Sequence, residues 1–432
     1  MITKQLVEQI EGEASVYFDI KNEKVDFATV TFPHFRGMES ILENKPALDA
    51  LVITPRVCGI CGHAHLMATV RALEDAYKNS GYKVQLTQKA KLIREFTLVM
   101  EMIQNHLKWL YLVIIPELNK LVHYDGQKST LKGAYGASLA SKAIALFGGQ
   151  WPHSSYMIPG GITSDPTHIE VMQAHHHLQE LKSFFEKESL GTTLEAFLSF
   201  ESCKDFHALD SDIATLEKHL IEADMHQKGF AHDRFLILGK HLYSEVAKLK
   251  HTRSFGVDIK FVTTKPSFSP HEKSFAYNAL YKDDYYETGP LARMMSSALP
   301  IIKNMHRRFK DSAYSRVLAR VFELSFMLQH ATKLLDKIDV AEDSVVSLVD
   351  IKKVSATGIG VVEAPRGPLI HKVTIEDGMI KNYTIITPTQ FNIGSDTKEK
   401  PTSVQHAMQG ACKKDALFIF RTFDVCSVCT TH

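Results

Sequence analysis

The chain predicts a mainly helical α+β fold, with long central helices and small β segments near both termini. Three observations predict it. Apolar residues recur at helical spacing from Gln88 to Leu118, and a second helical block opens at Gly289. Loosely alternating apolar residues occupy residues 13–32 and return after Val354. Two CxxC pairs, Cys58/Cys61 and Cys426/Cys429, stand near opposite ends. The whole reads as one cooperative unit: a β/loop region over residues 1–70 with the first pair, a mostly helical core over 85–340, and a β/loop region over 350–432 with the second.

Composition narrows the class. Hydrophobic content of 44% and charged content of 23% are those of a soluble globular protein. A net charge of +1 gives no reason to expect nucleic acid or an acidic membrane as partner. The longest apolar run, Trp109 to Ile115, is closed by Pro116 and falls short of the roughly 20 residues that span a bilayer. Lys4, Glu8, Glu11 and Glu13 do not fit a signal peptide. A cytoplasmic location is therefore expected, unless the chain is exported or membrane-associated through a partner that carries the signal.

In chain order, Val16, Phe18, Ile20, Val25, Phe27 and Val30 alternate about a turn at Asn22-Glu23, as in a β-hairpin. A short helix is expected from Ser40. Gly59 and Gly62 let the backbone fold tightly around the first cysteine pair, which leads into a helix from about His63. The long helix over 88–118 follows. Gly148 to His153, with Gly160-Gly161, forms a glycine-rich loop without a P-loop lysine. Asp165-Pro166 is expected to cap a helix to about Glu188. Phe235–Leu238 and Ile259–Val262 read as short strands. The block from Gly289 reaches Ile338, with a kink expected at Pro300. Strands follow at Gly358–Val362, His371–Ile375 and Ile380–Ile386, then a final helix from Ser403 to Asp415.

Six cysteines in this length are not a disulfide framework, and four lie in CxxC pairs, a sign of metal or redox work. Cys203 and Cys412 read as ordinary buried or partly buried thiols, and His175-His176-His177 as a solvated helix face. Four thiolates form a soft site suited to zinc, an iron–sulfur cluster or a redox-active transition metal. Zinc ribbons draw their pairs from nearby in sequence. Here nearly the whole chain intervenes, yet spacing alone leaves a structural zinc held by four cysteines and a functional metal both open. The flanks favour function. His65 and His432 follow the two pairs, and Arg56 and Asp424 each stand two residues ahead. Charged and hydrogen-bonding groups around thiolates tune a metal.

The pattern R-x-C-G-x-C-x-x-x-H near one end and D-x-C-x-x-C-x-x-H at the other resembles the large subunit of a nickel–iron hydrogenase. The likeness runs from Glu11 to His432. Glu11-Gly12 resembles the family's E-G-H, and Phe35 to Glu39 its F-R-G-x-E. Gly148 to Gly161 is similar to its central glycine-rich stretch, Gly289 to Arg293 to its G-P-L-A-R, and Glu363 to His371 to its E-A-P-R-G-x-x-x-H. Asn382-Tyr383 and Pro388-Thr389 follow in the same order.

The resemblance implies a nickel–iron centre with carbon monoxide and cyanide on iron. Cys58 and Cys426 would be terminal nickel ligands, and Cys61 and Cys429 bridges to iron. Arg366 would overhang the metals, with Asp424 pairing or orienting it. His65 would hydrogen-bond a bridging sulfur, and Thr389 and the backbone near Pro365 would bond the cyanides. Glu39, a backbone carbonyl near Ile385 and His432 would hold magnesium or a similar hard ion. Cys426 would take the proton from dihydrogen and Glu11 would pass it outward. An obligate small subunit with iron–sulfur clusters would remove electrons, and maturation machinery would cut after the terminal histidine. A higher oligomer stays open.

Departures lie at Glu13, Val425, Gln390-Phe391 and Asn105, which stands where many members place an aspartate over the metals. They leave oxygen tolerance and catalytic bias open. A hydrogen-sensing subunit with the same site remains an alternative. The non-catalytic relative in respiratory complexes is disfavoured because all four cysteines remain.

Overall fold

The computed structural model describes residues 1–7, 12–126, 130–238, 258–297 and 299–431. At its centre the helix Gln88–Lys108 packs against Thr130–Gly148 and Ala313–Leu335. Phe96, Val99, Ile103 and Leu107 recur at helical spacing and are fully buried. Each such side chain contributes roughly 1.5–3 kcal/mol relative to exposure. Thr87 caps the helix by accepting from the Ala90 N–H at 3.1 Å. The backbone then widens into a π turn, Trp109–Ile114, and resumes as Ile115–Leu121 with Pro116 in its first turn.

Several expected boundaries shift. Thr167, not Asp165-Pro166, caps the next helix, His168–Phe184, through a capping box with Glu170. The block after Gly289 is three helices: Pro290–Met295, Pro300–Phe309 and Ala313–Leu335. Pro300 therefore opens a helix instead of kinking one. The expected final helix is two, Ser403–Met408 and Lys413–Thr422, parted at Gly410 with φ +76°. Phe235 makes only an isolated bridge, to Glu287, and Ile259–Phe261 is a 3-10 turn before the strand Val262–Pro266.

Two small antiparallel sheets frame this bundle. Ile2–Val7, Ala14–Lys21 and Lys24–Thr31 form the first, with Asn22 and Glu23 in the left-handed region at the turn. Ala356–Ala364, Gly367–Glu376 and Met379–Ile386 form the second. The helix Gly62–Asn79 lies directly on the Ala356–Ala364 strand. A Cβ added at Gly360 would stand 1.9 Å from the Ala68 carbonyl oxygen, and one at Gly358 2.0 Å from that of Ala72. Only glycine permits that approach.

The two ends of the sequence interlock. The Val25 N–H donates to Ala411 O at 2.8 Å, and the Arg36 N–H to Thr431 O at 3.0 Å. One contiguous core joins residues from Val7 to Cys429. Among the described residues no helix is long and apolar enough to cross a membrane.

Candidate metal centre

The first cysteine pair sits where a short helical turn, Thr54–Arg56, gives way to the Gly62–Asn79 helix. A Cβ at Gly62 would lie 2.8 Å from Pro55 O, so the bend needs glycine there. The N–H groups of Ile60 and Cys61 both donate to Cys58 Sγ at 3.4 Å. The buried Glu101 carboxylate accepts from the His63 and Ala64 N–H groups at 2.7 and 3.0 Å. It satisfies the helix N-terminus and complements its dipole. Of the second pair, Cys426 caps and Cys429 lies within a one-turn helix, Ser427–Thr430, approached through Asp424 at φ +56°.

All four sulfurs meet. Cys58 Sγ lies 3.7 Å from Cys426 Sγ, Cys61 Sγ 3.6 Å from Cys429 Sγ, and Cys426 Sγ 2.9 Å from Cys429 Sγ. Each cysteine is at least 94% buried, since the most exposed, Cys61, is 6% accessible. Burial raises the Cys58 thiol, but hydrogen bonds from the other three sulfurs outweigh it and bring it well below the usual range. Cys61 is held well above it by its hydrogen bond to Cys426, and Cys429 likewise. Four thiolates cannot share so small a dry space without a cation.

Around them stands a charged layer. Arg366 Nε donates to the Asp424 backbone oxygen at 3.0 Å and lies 3.2 Å from Asp424 Oδ1. Arg320 Nη1 donates to Asp424 Oδ2 at 2.6 Å. With its amide oriented by these neighbours, Asn105 donates to Asp424 Oδ2 at 3.2 Å and accepts from Arg366 Nη2 at 3.1 Å. Burial disfavours charge on Arg366 and Asp424 alike. Their mutual attraction wins, holding the guanidinium well above and the carboxyl below its usual value.

A small cavity is lined by Cys61, His65, Pro365, Arg366, Thr389, Cys426 and Cys429. Arg366 Nη1 and Thr389 Oγ1 are buried without a hydrogen-bond partner among the described residues. A second cavity, of about 430 Å³, lies beyond Arg366, Asn105 and Asp424 and is walled by Ile60, Trp109 and Val425.

His65 Nε2 is 3.8 Å from Cys429 Sγ. Glu39 Oε1 accepts from the Ile385 N–H at 2.7 Å, so that carboxylate and this stretch of backbone are adjacent. Glu11 and His432 lie outside the described residues. Gly12, beside the former in sequence, packs against Ser427 and Val428.

Two expectations fail. Arg56 is exposed, and its guanidinium bonds the Val52 carbonyl, not the thiolates. The cation that wraps this loop is Arg36, bonded to the carbonyls of Val57, Arg56 and Val428. Cys412 is exposed at a helix start, not buried. Sequence reasoning missed Arg320, Glu101 and the buried cluster in which Arg293 bonds Glu323 and Glu363. Arg316, Arg320 and Glu323 sit amid apolar residues on every side of the Ala313–Leu335 helix, the one signal that could have marked them as buried.

The family model for Nickel-dependent hydrogenase matches residues 36–115 and 136–432. The Periplasmic [NiFeSe] hydrogenase large subunit of Desulfomicrobium baculatum is 26% identical, covering 89% of this chain and 84% of that one. Sulfhydrogenase 1 subunit alpha of Pyrococcus furiosus is 23% identical, covering 100% and 97%. The reduced Ni-Fe-Se hydrogenase of D. vulgaris Hildenborough superposes with a TM-score of 0.80 at 22% identity, covering 100% of both chains. The chain belongs to the nickel-dependent hydrogenase family and corresponds over its length to that family's large subunits.

Proposed function

We propose that this chain splits dihydrogen, or forms it from protons and electrons, at a nickel–iron centre held by Cys58, Cys61, Cys426 and Cys429. The convergence of these four sulfurs from opposite ends of the sequence carries the reading. All four cysteines would hold the group, Cys58 and Cys426 through nickel. In support, the Cys58 and Cys426 sulfurs lie 3.7 Å apart and those of Cys61 and Cys429 3.6 Å apart. The donor set fits the group: soft sulfur for the metals, and a partnerless hydroxyl and guanidinium nitrogen beside them. A nickel–iron centre, when bound, supplies the Lewis acidity and redox capacity that heterolysis of an apolar, very weakly acidic molecule needs.

The side chains do the rest. The Cys426 sulfur takes the proton, and Glu11 passes it outward, a role supported by the packing of Gly12 on Ser427 and Val428. Arg366, fixed by Asp424 and Asn105, holds positive charge over the sulfurs and shapes the open side of the site. Thr389 and the backbone at Pro365 line the cavity where carbon monoxide and cyanide on iron fit, and the free Thr389 hydroxyl is a donor for cyanide. Glu39, the carbonyl near Ile385 and His432 are assigned to magnesium. The contact of Glu39 with Ile385 N–H, and of Arg36 N–H with Thr431 O, supports that grouping.

Electrons need an exit. Among the described residues the four clustered cysteines are committed, and Cys203 and Cys412 stand apart. An iron–sulfur small subunit is the partner this requires, in a cytoplasmic complex assembled after maturation. Cys426→Ser in the assembled complex tests the reading. Dihydrogen uptake and bound nickel are expected to fall to background together, and uptake at the parental rate would refute it.

A further inference from the structure

Behind Cys429 lies a buried line of polar side chains within hydrogen-bond reach of one another: His65, His371, Tyr383 and Thr69 are all at least 98% buried, Tyr383 and His65 being 2% and 1% accessible. His65 Nε2 faces the sulfur at 3.8 Å, and its Nδ1 meets His371 Nε2 at 3.0 Å. His371 Nδ1 meets the Tyr383 hydroxyl at 2.8 Å and Thr69 Oγ1 at 3.1 Å. Which way the protons point in this line can be worked out from both ends.

At the far end, Thr54 donates its one hydroxyl proton to Ala50 O at 2.8 Å. Toward Thr69, 2.7 Å away, it can therefore only accept, which commits the Thr69 proton as well. Tyr383 holds the one hydroxyl proton still to be placed, with His371 Nδ1 at 2.8 Å and Thr69 Oγ1 at 2.9 Å both in reach. Burial keeps that phenol protonated by pushing its ionisation up.

At the near end, a metal-bound thiolate has no proton, so a nitrogen facing it must donate. His65 then carries its proton on Nε2 and is bare at Nδ1. Two bare nitrogens cannot face each other at 3.0 Å, so His371 is protonated on Nε2 and bare at Nδ1. That nitrogen needs a donor, and Tyr383 supplies it. The two ends agree.

From these contacts we infer that His371 and Tyr383 are positioning residues that lock the tautomer of His65, so that each donor from Tyr383 through His371 to His65 points toward the Cys429 sulfur. This rests on the metal-centre reading above, because the thiolate fixes one end. The line sets how much electron density the sulfur keeps for the metals, which is how outer groups tune a site.

The test is nitrogen-15 NMR of histidine-labelled, metal-loaded complex, with nickel measured on the same sample. For both His65 and His371 the expected spectrum shows a protonated Nε2 and an unprotonated Nδ1. His371→Gln, whose amide N–H can still reach His65 Nδ1, keeps the His65 pattern. His371→Leu loses it and shifts the infrared bands of the iron ligands at unchanged nickel content. A protonated Nδ1 on His371 in the loaded parent overturns the inference, as does an unaltered His65 signal in a loaded His371→Leu complex. A preparation holding zinc alone would refute the nickel–iron reading, yet the same spectrum still decides the tautomer, because zinc too binds thiolate.

Discussion

Arg366 is the residue on which the electrostatics of the centre turns. It is buried, bonded through Nε and Nη2 to Asp424 and Asn105, and its Nη1 has no partner among the described residues. Lysine keeps the charge but loses the planar fork. Arg366→Lys is expected to lower dihydrogen turnover about 10²–10³-fold, the scale of removing one preorganised donor, with nickel content unchanged. A turnover assay alongside metal analysis checks it. Asn105→Asp would set a second carboxylate where the amide now donates to Asp424 at 3.2 Å. Like charges so close raise one of the two ionisations. The pH–rate profile of that variant is expected to gain a limb on its acid side that the parent lacks. At this scale much was legible: the cysteines, His65, Asp424 and Arg366 sit in motifs whose chemistry is local. Arg320 was not, because a lone arginine in a long helix looks the same whether it meets solvent or a buried carboxylate from 104 residues away.

At the scale of elements, the Gly62–Asn79 helix delivers Cys61 and His65 only because Gly358 and Gly360 let it rest on the strand beneath. Gly360→Ala is expected to destabilise the fold by about 1–3 kcal/mol or more, as overpacking does, and to lower nickel loading with it. Denaturant titration and metal analysis read both. The Pro290–Met295 helix adds a pH dependence. Its Arg293 bonds Glu363 at 2.9 Å but is shared with Glu323. Burial pushes Glu363 up to about 7, though Arg293 opposes it. The folded state thus holds a proton that the unfolded chain releases near its ordinary value of about 4.3. Stability from this group is full below that value and is lost as pH rises through about 7. Glu363→Gln is expected to flatten the fall in stability between pH 5 and 8 by about 1–3 kcal/mol, measured by denaturation across that range. Helix positions were readable from apolar spacing, but helix ends were not. Pro300 is equally compatible with a kink and a first turn, and a single glycine such as Gly410 is tolerated inside a helical pattern as well as at its end. The choice rests on tertiary packing.

For the whole molecule, the first and last segments form one surface: Val25 bonds Ala411, Arg36 bonds Thr431, and the sulfurs of 58 and 426 touch. A metal centre there ties together residues that nearly the whole sequence separates. Binding to the folded state alone adds stability by mass action, so the loaded complex is expected to melt at a clearly higher temperature than a nickel-depleted one. Equal melting curves would mean the centre plays no part in joining the ends. That the ends meet was expected from the two CxxC pairs, whereas the strands and carbonyls that seal them together have no motif and emerge only in three dimensions. The most direct test of the central claim is an infrared spectrum of the purified complex, with nickel quantified on the same sample. The account predicts bands of metal-bound carbon monoxide and cyanide with about one nickel per chain, both lost in Cys58→Ser. Four cysteines filled by zinc, with no such bands, would contradict it.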